Sequence, residues 1–281
     1  MVAYARQQGM PMASVLTLGR QESVISEAWC QHLKAAYDAP VEGLDYQREP
    51  YGEEFFKRLG AQRIDSLDYS SYQSSTLCRD LNDPPAVDPV EGYDLVYDGG
   101  TLEHVFHFPH AIANCMALVK VGGHFMASLP ANQWLGHGFY QFSPELFFRV
   151  FSPENGFETV RIYLAENGNA QGKLYRVLDP AETGSRTLIE GGRPLLILVW
   201  ARKIAEVKPF QKWPQQSDYS ARWAEGKESE ATDVPPDQMS AGRKLRRALG
   251  KLVPSSVRYY IAWRKHLKAA RRGLIEIDKL Q

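Results

Sequence analysis

Cysteine is scarce in this sequence. The 281 residues include three cysteines, which are far apart and form no CxxC pair. An odd and sparse count argues against a disulfide framework and against a zinc site, so we expect no metal. Each cysteine is interpreted as a small buried hydrophobic residue.

Long apolar runs and an excess of charge of one sign are also missing. The longest apolar run, residues 195–201, is far too short to cross a bilayer, and the first 14 residues hold no stretch typical of a signal peptide. Lysine plus arginine and aspartate plus glutamate each number 33, so the formal net charge is zero. We therefore expect a cytoplasmic protein whose overall charge indicates no specific nucleic-acid partner.

The sequence does contain a repeated alternation of strand and helix patterns. Strand patterns followed by helices or turns predict five strands, at residues 14–18, 63–68, 76–81, 93–98 and 124–129. Two more strand patterns, at residues 157–165 and 195–203, follow without a helical crossover. This order predicts an α/β fold with a Rossmann-like, doubly wound and mostly parallel sheet, and an antiparallel hairpin on one edge.

The composition changes after this α/β segment. We expect residues 1–205 to form the Rossmann-like domain. Residues 206–240 hold four prolines and little periodicity, which predicts a linker or surface wrap. Residues 241–281 are predicted to be a basic helical tail, because residues 241–272 carry eleven lysines and arginines and no acidic residue.

Candidate ligand-binding residues follow the first three strands, because ligands of doubly wound sheets bind at the carboxyl ends of the strands. Gly19 allows close backbone approach to a cofactor, although a plain tight turn explains it equally well. Asp68 can accept the hydroxyls of a ribose, or it is a solvated loop acid. Asp80 can bond an adenine amino group while Leu81 packs on the ring, or the segment is a turn made with Asn82.

The densest polar cluster, Asp98–His104, follows the fourth strand. Its two glycines let the backbone pass close to a ligand, and His104 can act as a general base that Glu103 orients. The alternative is a capped helix start with a satisfied histidine. After the fifth strand, a loop that contains His137 and Tyr140 suits a substrate lid, or it packs as an ordinary loop.

These residues resemble a known pattern. The run Tyr93–His104 resembles the fourth-strand motif of class I S-adenosylmethionine (SAM)-dependent methyltransferases. The turn at residues 118–123, the strand ending in Pro130 and the step from Phe142 to Phe157 are similar to the part of that family that follows. The resemblance covers residues 15–204.

The resemblance implies a seven-stranded sheet whose sixth and seventh strands are antiparallel, with SAM lying across strands one to four. By position, it assigns Gly19 to the methionine part, Asp68 to the ribose, Asp80 and Leu81 to the adenine, and Asp98, Gly99 and Gly100 to the sulfonium side. The family usually has an acid and three spaced glycines after the first strand, where this chain has Leu18–Gly19–Arg20–Gln21. Either Arg20 binds the cofactor carboxylate directly, or its bulk blocks the site.

The expected function is SAM-dependent methyl transfer to a small molecule or a glycan, with a lipid-linked glycan as one candidate. His104 is the first candidate base and His137 the second. The alternative is a catalytically inactive methyltransferase-like binding protein. A nicotinamide-dependent oxidoreductase fits less well, because the chain lacks G-x-G-x-x-G after the first strand.

The basic segment, residues 241–272, also contains aromatic residues. This mixture is typical of peripheral contact with an anionic membrane surface, which is the partner we expect besides the substrate. Nucleic-acid backbone binding and a helical appendage with solvated charges are the alternatives.

Overall fold

A computed structural model describes residues 1–23, 26–45, 48, 50–86, 92–166, 172–224, 255–270 and 273–278. Its helices are α1 (Val2–Gln7), α2 (Glu27–Tyr37), α3 (Glu53–Arg58), α4 (Phe108–Leu118), α5 (Pro144–Val150), α6 (Pro180–Thr183), α7 (Ser217–Ala224) and α8 (Ser255–Ala270). Its strands are β1 (Ser14–Leu18), β2 (Arg63–Asp68), β3 (Leu77–Cys78), β4 (Tyr93–Asp98), β5 (Val119–Pro130), β6 (Phe157–Glu166), β7 (Leu174–Val177), β8 (Leu195–Lys203) and β9 (Leu274–Ile277).

The strands form one sheet in the order β3-β2-β1-β4-β5-β8-β6-β7-β9. The pairs among β3, β2, β1, β4 and β5 are parallel, and β8 is antiparallel to both β5 and β6. The predicted fold class is therefore confirmed, including the antiparallel pair that the resemblance implies. The predicted count of seven strands is wrong, because β7 and β9 continue the sheet beyond β6. For the same reason, the antiparallel pair is not at the edge.

Local signals explain where several helices begin. The Ser26 hydroxyl accepts the backbone N–H of Trp29 at the start of α2, and the helix ends at Asp38 in the left-handed conformation. Ser143 accepts the backbone N–H of Leu146 at the start of α5, with a proline in the first turn, as the sequence predicts. The third strand is shorter than predicted, with two residues instead of six.

Helices cover the sheet on both faces. On one face, α1, α2 and α3 pack against β1, β4 and β5 through a core that includes Val15, Phe56, Leu95 and Met126. Elsewhere in the core, an aromatic cluster joins β5 and β6 to α5: Phe125 and Phe157 both contact Phe151, at centroid distances of 4.9 Å and 5.3 Å. These packed layers hold the carboxyl ends of the parallel strands in a fixed order, and the candidate site lies at those ends.

The chain divides into two compact units. The first comprises Met1–Arg176, Gly192–Pro214 and Glu276–Gln281, and the second comprises Val177–Gly191 and Gln215–Ile275. The second unit contains α6, α7 and α8, and an Arg186–Asp218 ion pair of 2.7 Å joins its parts. The boundaries at 205 and 240 stay predictions. Residues 225–254, 271–272 and 279–281 of the predicted linker and tail lie outside the described residues. In the part of the chain that is described, no helix has the length and apolarity of a membrane span.

Candidate active site at the carboxyl ends of the strands

The ends of β1, β2 and β4 lie side by side. Leu18 pairs with Leu67 on one side and with Asp98 on the other, so the residues that follow these strands share one edge of the sheet. The structure thereby brings together Gly19, Asp68 and the segment Asp98–Gly100, which the sequence assigned to one ligand.

Gly19 makes the closest approach in this group. Its backbone has φ +67°, and a Cβ built there would lie 3.2 Å from Thr101 Oγ1 and 4.0 Å from Asp68 Oδ2. Thr101 Oγ1 also donates a hydrogen bond of 2.9 Å to the carbonyl of Leu18. A glycine adopts this conformation without strain and keeps a side chain out of the gap between Thr101 and Asp68.

Arg20 has partners within the protein. Its Nε lies 2.6 Å from Glu53 Oε1, its NH1 donates to the carbonyl of Gln73 at 3.0 Å, and its guanidinium carbon lies 3.9 Å from the centre of the Tyr51 ring. These contacts join the first loop to the segments around α3 and before β3. Binding of a cofactor carboxylate by Arg20 stays a prediction.

Gln21 is a site residue that the sequence analysis missed. Its side-chain amide donates to the carbonyl of Leu18 and lies against Gly99, in the space that a Cβ on Gly99 would fill. Its backbone carbonyl accepts the N–H of Gly52 at 2.9 Å, which anchors the residue. The sequence feature that points to Gln21 is a long polar side chain two positions after Gly19, in a loop where class I SAM-dependent methyltransferases usually have glycines.

Asp98 is fully buried and turned toward the chain that follows it. Its Oδ1 accepts the N–H groups of Gly100 and Thr101 at 3.0 Å and 2.7 Å, and its Oδ2 accepts that of Leu102 at 3.3 Å. Burial, with a smaller contribution from the Glu103 carboxylate, raises the pKa of Asp98 to about 7 against these hydrogen bonds. The carboxyl group therefore shapes the turn, while cofactor contact by this residue stays a prediction.

The loop after β3 forms a turn. Asp80 Oδ1 accepts both the backbone N–H and the side-chain amide of Asn82, at 2.8 Å and 2.7 Å. Leu81 is buried, and Asn82 Oδ1 accepts the backbone N–H of His107 just before α4. These contacts match the turn alternative for this segment; the adenine assignment of Asp80 and Leu81 stays a prediction.

Glu103, His104 and His137 converge from two loops, and we call them the His–Glu cluster. His137 Nε2 lies 3.3 Å and His104 Nε2 3.8 Å from Glu103 Oε1. Glu103 is buried, whereas the two imidazoles are about half exposed. Gly100 lies beside this cluster, because a Cβ built on it would be 3.1 Å from Glu103 Oε1.

Gly138 lets the second loop reach Glu103. Its φ is +70°, and a Cβ there would lie 2.8 Å from the Glu103 carbonyl oxygen. That same oxygen accepts the N–H of Phe139 at 2.7 Å. Tyr140, the predicted substrate residue, donates its hydroxyl to the carbonyl of Phe106 at 2.6 Å, which ties the loop after β5 to the turn after β4.

A cavity of about 360 Å³ borders the first loop and Gly99. Gln21 and Tyr97 line it near the strand ends, and Phe55, Ser128 and Leu198 contribute further walls. This volume falls within the usual range for small-molecule sites, which runs from about 300 to 1,000 Å³. Gly99 thus lines the cavity, while the adjacent Gly100 lies beside Glu103 of the His–Glu cluster.

Comparisons with known proteins give structural similarity without sequence similarity. No protein-family model matches the chain, and no curated protein matches its sequence. TehB from Haemophilus influenzae is similar at 15% identity and a TM-score of 0.39, over 72% of this chain and 61% of that one. This chain therefore covers less than two thirds of TehB.

Two further solved structures have comparable similarity. A putative S-adenosylmethionine-dependent methyltransferase from Listeria monocytogenes has 15% identity and a TM-score of 0.38, over 72% of this chain and 97% of its own. The N-methyltransferase NodS from Bradyrhizobium japonicum, solved with S-adenosyl-l-homocysteine, has 12% identity and a TM-score of 0.38, over 73% of this chain and 85% of its own.

Proposed function

We propose that this protein is a SAM-dependent methyltransferase that acts on a small-molecule or glycan acceptor, a lipid-linked glycan among them. The observation that carries the proposal is the shared edge at which Gly19, Asp68 and the Gly99–Gly100 pair meet, with Gly99 lining a cavity. Small residues at two strand ends and an acid at the third suit a ligand that combines a ribose with a compact charged group.

The residues fit the cofactor more closely at its ribose end than at its methionine end. Asp68 Oδ2 lies 4.0 Å from the position that a Cβ on Gly19 would take, and a carboxylate at this strand end can accept ribose hydroxyls. At the other end, the Gln21 amide lies on Gly99 and has to turn away before a ligand can contact that glycine. Arg20 would then bind the carboxylate of the cofactor and give up part of its contact with Glu53.

SAM would supply an activated methyl group on its sulfonium, so the chain's task is alignment and exclusion of water. Gly99 and Gly100 allow close approach on the sulfonium side. His104, and after it His137, can take the proton of an acceptor hydroxyl or amine, because both imidazoles approach Glu103 Oε1, which lies beside Gly100.

Ligand binding tests the proposal. The full-length protein is titrated with SAM and with its demethylated product, by calorimetry and by thermal shift. At a hundred times the dissociation constant, either ligand should add about 2.7 kcal/mol of stability. Asp68→Asn should weaken the binding of both ligands. Glu158→Gln, which alters a half-exposed carboxylate of β6 paired with Arg202, should leave their binding unchanged.

A second candidate function, a catalytically inactive binding protein of the same fold, is favoured by two contacts. The Arg20 side chain is held by Glu53, and Gln21 covers Gly99. No thermal shift with either ligand at millimolar concentration would support this second function and overturn the first.

The base assignment needs an acceptor, which transfer of labelled methyl groups to a metabolite extract can identify. With that acceptor, His104→Ala or His137→Ala should lower kcat by about 10²- to 10⁴-fold, the usual contribution of general acid–base catalysis. A change of less than about threefold in both variants would show that neither imidazole acts as the base.

Peripheral contact with an anionic membrane is the partner proposal for the basic segment. The described helix α8 exposes Tyr259, Tyr260 and Ile261 together with basic side chains such as Arg264 and Lys265. Aromatic and basic groups on one helix suit the interface of an anionic bilayer. In sedimentation assays, the protein should bind vesicles with anionic lipid more than neutral vesicles, and equal retention on both would contradict the electrostatic attraction.

A further inference from the structure

The His–Glu cluster brings three metal-ligating side chains together from two separate loops. Glu103 and His104 lie in the turn after β4, and His137 lies in the loop after β5. One ligand atom from each residue falls within 4.8 Å of the other two. No other such group of histidine, cysteine and acidic residues occurs in the part of the chain that the structure describes.

The buried carboxylate of Glu103 supplies a second, independent observation. Its side chain is 1% exposed, and both imidazoles approach the same oxygen, Oε1. The other oxygen, Oε2, is buried without a hydrogen-bond partner among the described residues. An ion pair with a protonated histidine would leave Oε2 unpaired, whereas a cation at the carboxylate can neutralise both oxygens.

We propose that Glu103, His104 and His137 bind one divalent transition-metal ion of the Zn²⁺ class. Two imidazoles and one carboxylate are a donor set typical of such ions, and three protein ligands leave coordination positions open. The open positions take oxygen atoms of a ligand.

The geometry requires only small movements. Metal–ligand bonds of about 2.0–2.2 Å separate the ligand atoms of a tetrahedral site by about 3.4 Å. The distances to Glu103 Oε1 are 3.3 Å for His137 Nε2 and 3.8 Å for His104 Nε2. The half-exposed imidazoles can rotate, while the backbone of Glu103 is held by the N–H of Phe139.

The part that this metal plays in catalysis rests on the proposed function. Gly100, on the sulfonium side of the cofactor assignment, lies next to Glu103 Oε1. An ion at the cluster would hold an acceptor oxygen near that side and lower the pKa of a bound hydroxyl. In the metal-loaded protein, the two imidazoles would act as ligands and not as bases. The ion would lower the pKa of the bound hydroxyl, and the proton would pass to solvent water.

Metal binding to the chelator-treated, full-length protein tests the site without any cofactor. Calorimetry with Zn²⁺ and visible absorption with Co²⁺ should both report one equivalent of tightly bound ion. Glu103→Gln, His104→Ala and His137→Ala should each weaken binding by more than about 100-fold, because loss of an outer-shell partner alone costs about 10- to 100-fold.

A matched control comes from the next two histidines along the chain. His107 and His110 stack with ring centroids 3.6 Å apart, and among the described residues they belong to no group of three possible metal ligands. The double variant His107→Ala/His110→Ala should bind the metal like the unaltered protein. Absence of tight binding to the unaltered protein, equal binding by His137→Ala, or loss of binding in the control variant would each overturn the site.

SAM titrations on the same samples separate this inference from the proposed function. Metal binding without SAM binding would leave the metal site in place and remove the methyltransferase assignment. SAM binding without metal binding would do the opposite.

Discussion

Replacing Gln21 with alanine is expected to tighten the binding of SAM, because the glutamine side chain covers Gly99. Its amide occupies the space beside that glycine and donates a hydrogen bond to the carbonyl of Leu18. A ligand that contacts Gly99 must first break this hydrogen bond. Alanine removes the cover and leaves the backbone carbonyl of residue 21 free to keep its bond with Gly52.

The magnitude follows from the hydrogen bond that has to break. The carbonyl of Leu18 keeps a second donor, the Thr101 hydroxyl at 2.9 Å, so it is not left unpaired when Gln21 turns away. The closed rotamer is then favoured by about 0.5–1 kcal/mol, the lower part of the range for one net hydrogen bond. A site that is open for only part of the time binds more weakly in proportion, so the variant should bind about 3- to 6-fold tighter.

Calorimetric titration of SAM against both proteins measures this difference directly. Gln62→Ala, the same substitution at an exposed glutamine just before β2, serves as the matched control and should leave the dissociation constant unchanged. Weaker binding by the Gln21 variant would show that Gln21 contacts the cofactor instead of covering its site. An unchanged dissociation constant would show that the side chain leaves Gly99 without cost.

Three further predictions concern glycine positions and pH. Gly99→Ala should change Tm little, since the flexible Gln21 side chain can move away from the new Cβ. The same variant should bind SAM about tenfold or more weakly, as measured by calorimetry. Full affinity in this variant would show that no ligand contacts residue 99. Gly138→Ala should lower the unfolding free energy by about 1–3 kcal/mol in urea titrations, because its φ is +70° and its Cβ would meet a backbone oxygen at 2.8 Å. Gly136→Ala, with open space around it, should cost less than half as much, and equal costs would contradict the steric reason. Burial lowers the pKa of His124 to about 4. The unfolded protein therefore takes up a proton that the folded one does not, and the free energy of unfolding should fall as pH drops from about 6.5 toward 4. His124→Gln should flatten that part of the Tm–pH profile, and parallel profiles would refute the assignment.

The sequence predicts the central strands well because they are apolar and sharply bounded. The segments at 63–68, 93–98 and 195–203 begin and end in the structure where the residue pattern predicts. The helix Val2–Gln7 was not predicted, since six residues span less than two turns and give little periodicity. The short strands Leu174–Val177 and Leu274–Ile277 were missed because each holds four residues with little burial.

The candidate site was predictable in its residues but not in its contacts. Strand order alone brings Gly19, Asp68 and Asp98 to one edge, so this part follows from the pattern. The expectation of no metal came from cysteine spacing, whereas the His–Glu cluster forms only because the loop after β5 packs on Glu103. That packing depends on the positive φ of Gly138, which the spacing of apolar residues in the sequence does not predict.

The buried carboxyl group of Asp98 connects the two halves of the site. By accepting three successive backbone N–H groups, it fixes the path of the chain through Gly99 and Gly100 into the turn that holds Glu103. In this segment, Gly99 borders the cavity and the Gln21 amide, and Gly100 lies beside the Glu103 carboxylate. A change in the turn would therefore move the proposed cofactor side and the proposed metal side together. For that reason, we interpret Asp98 as a positioning residue for both, which acts through the backbone of the turn.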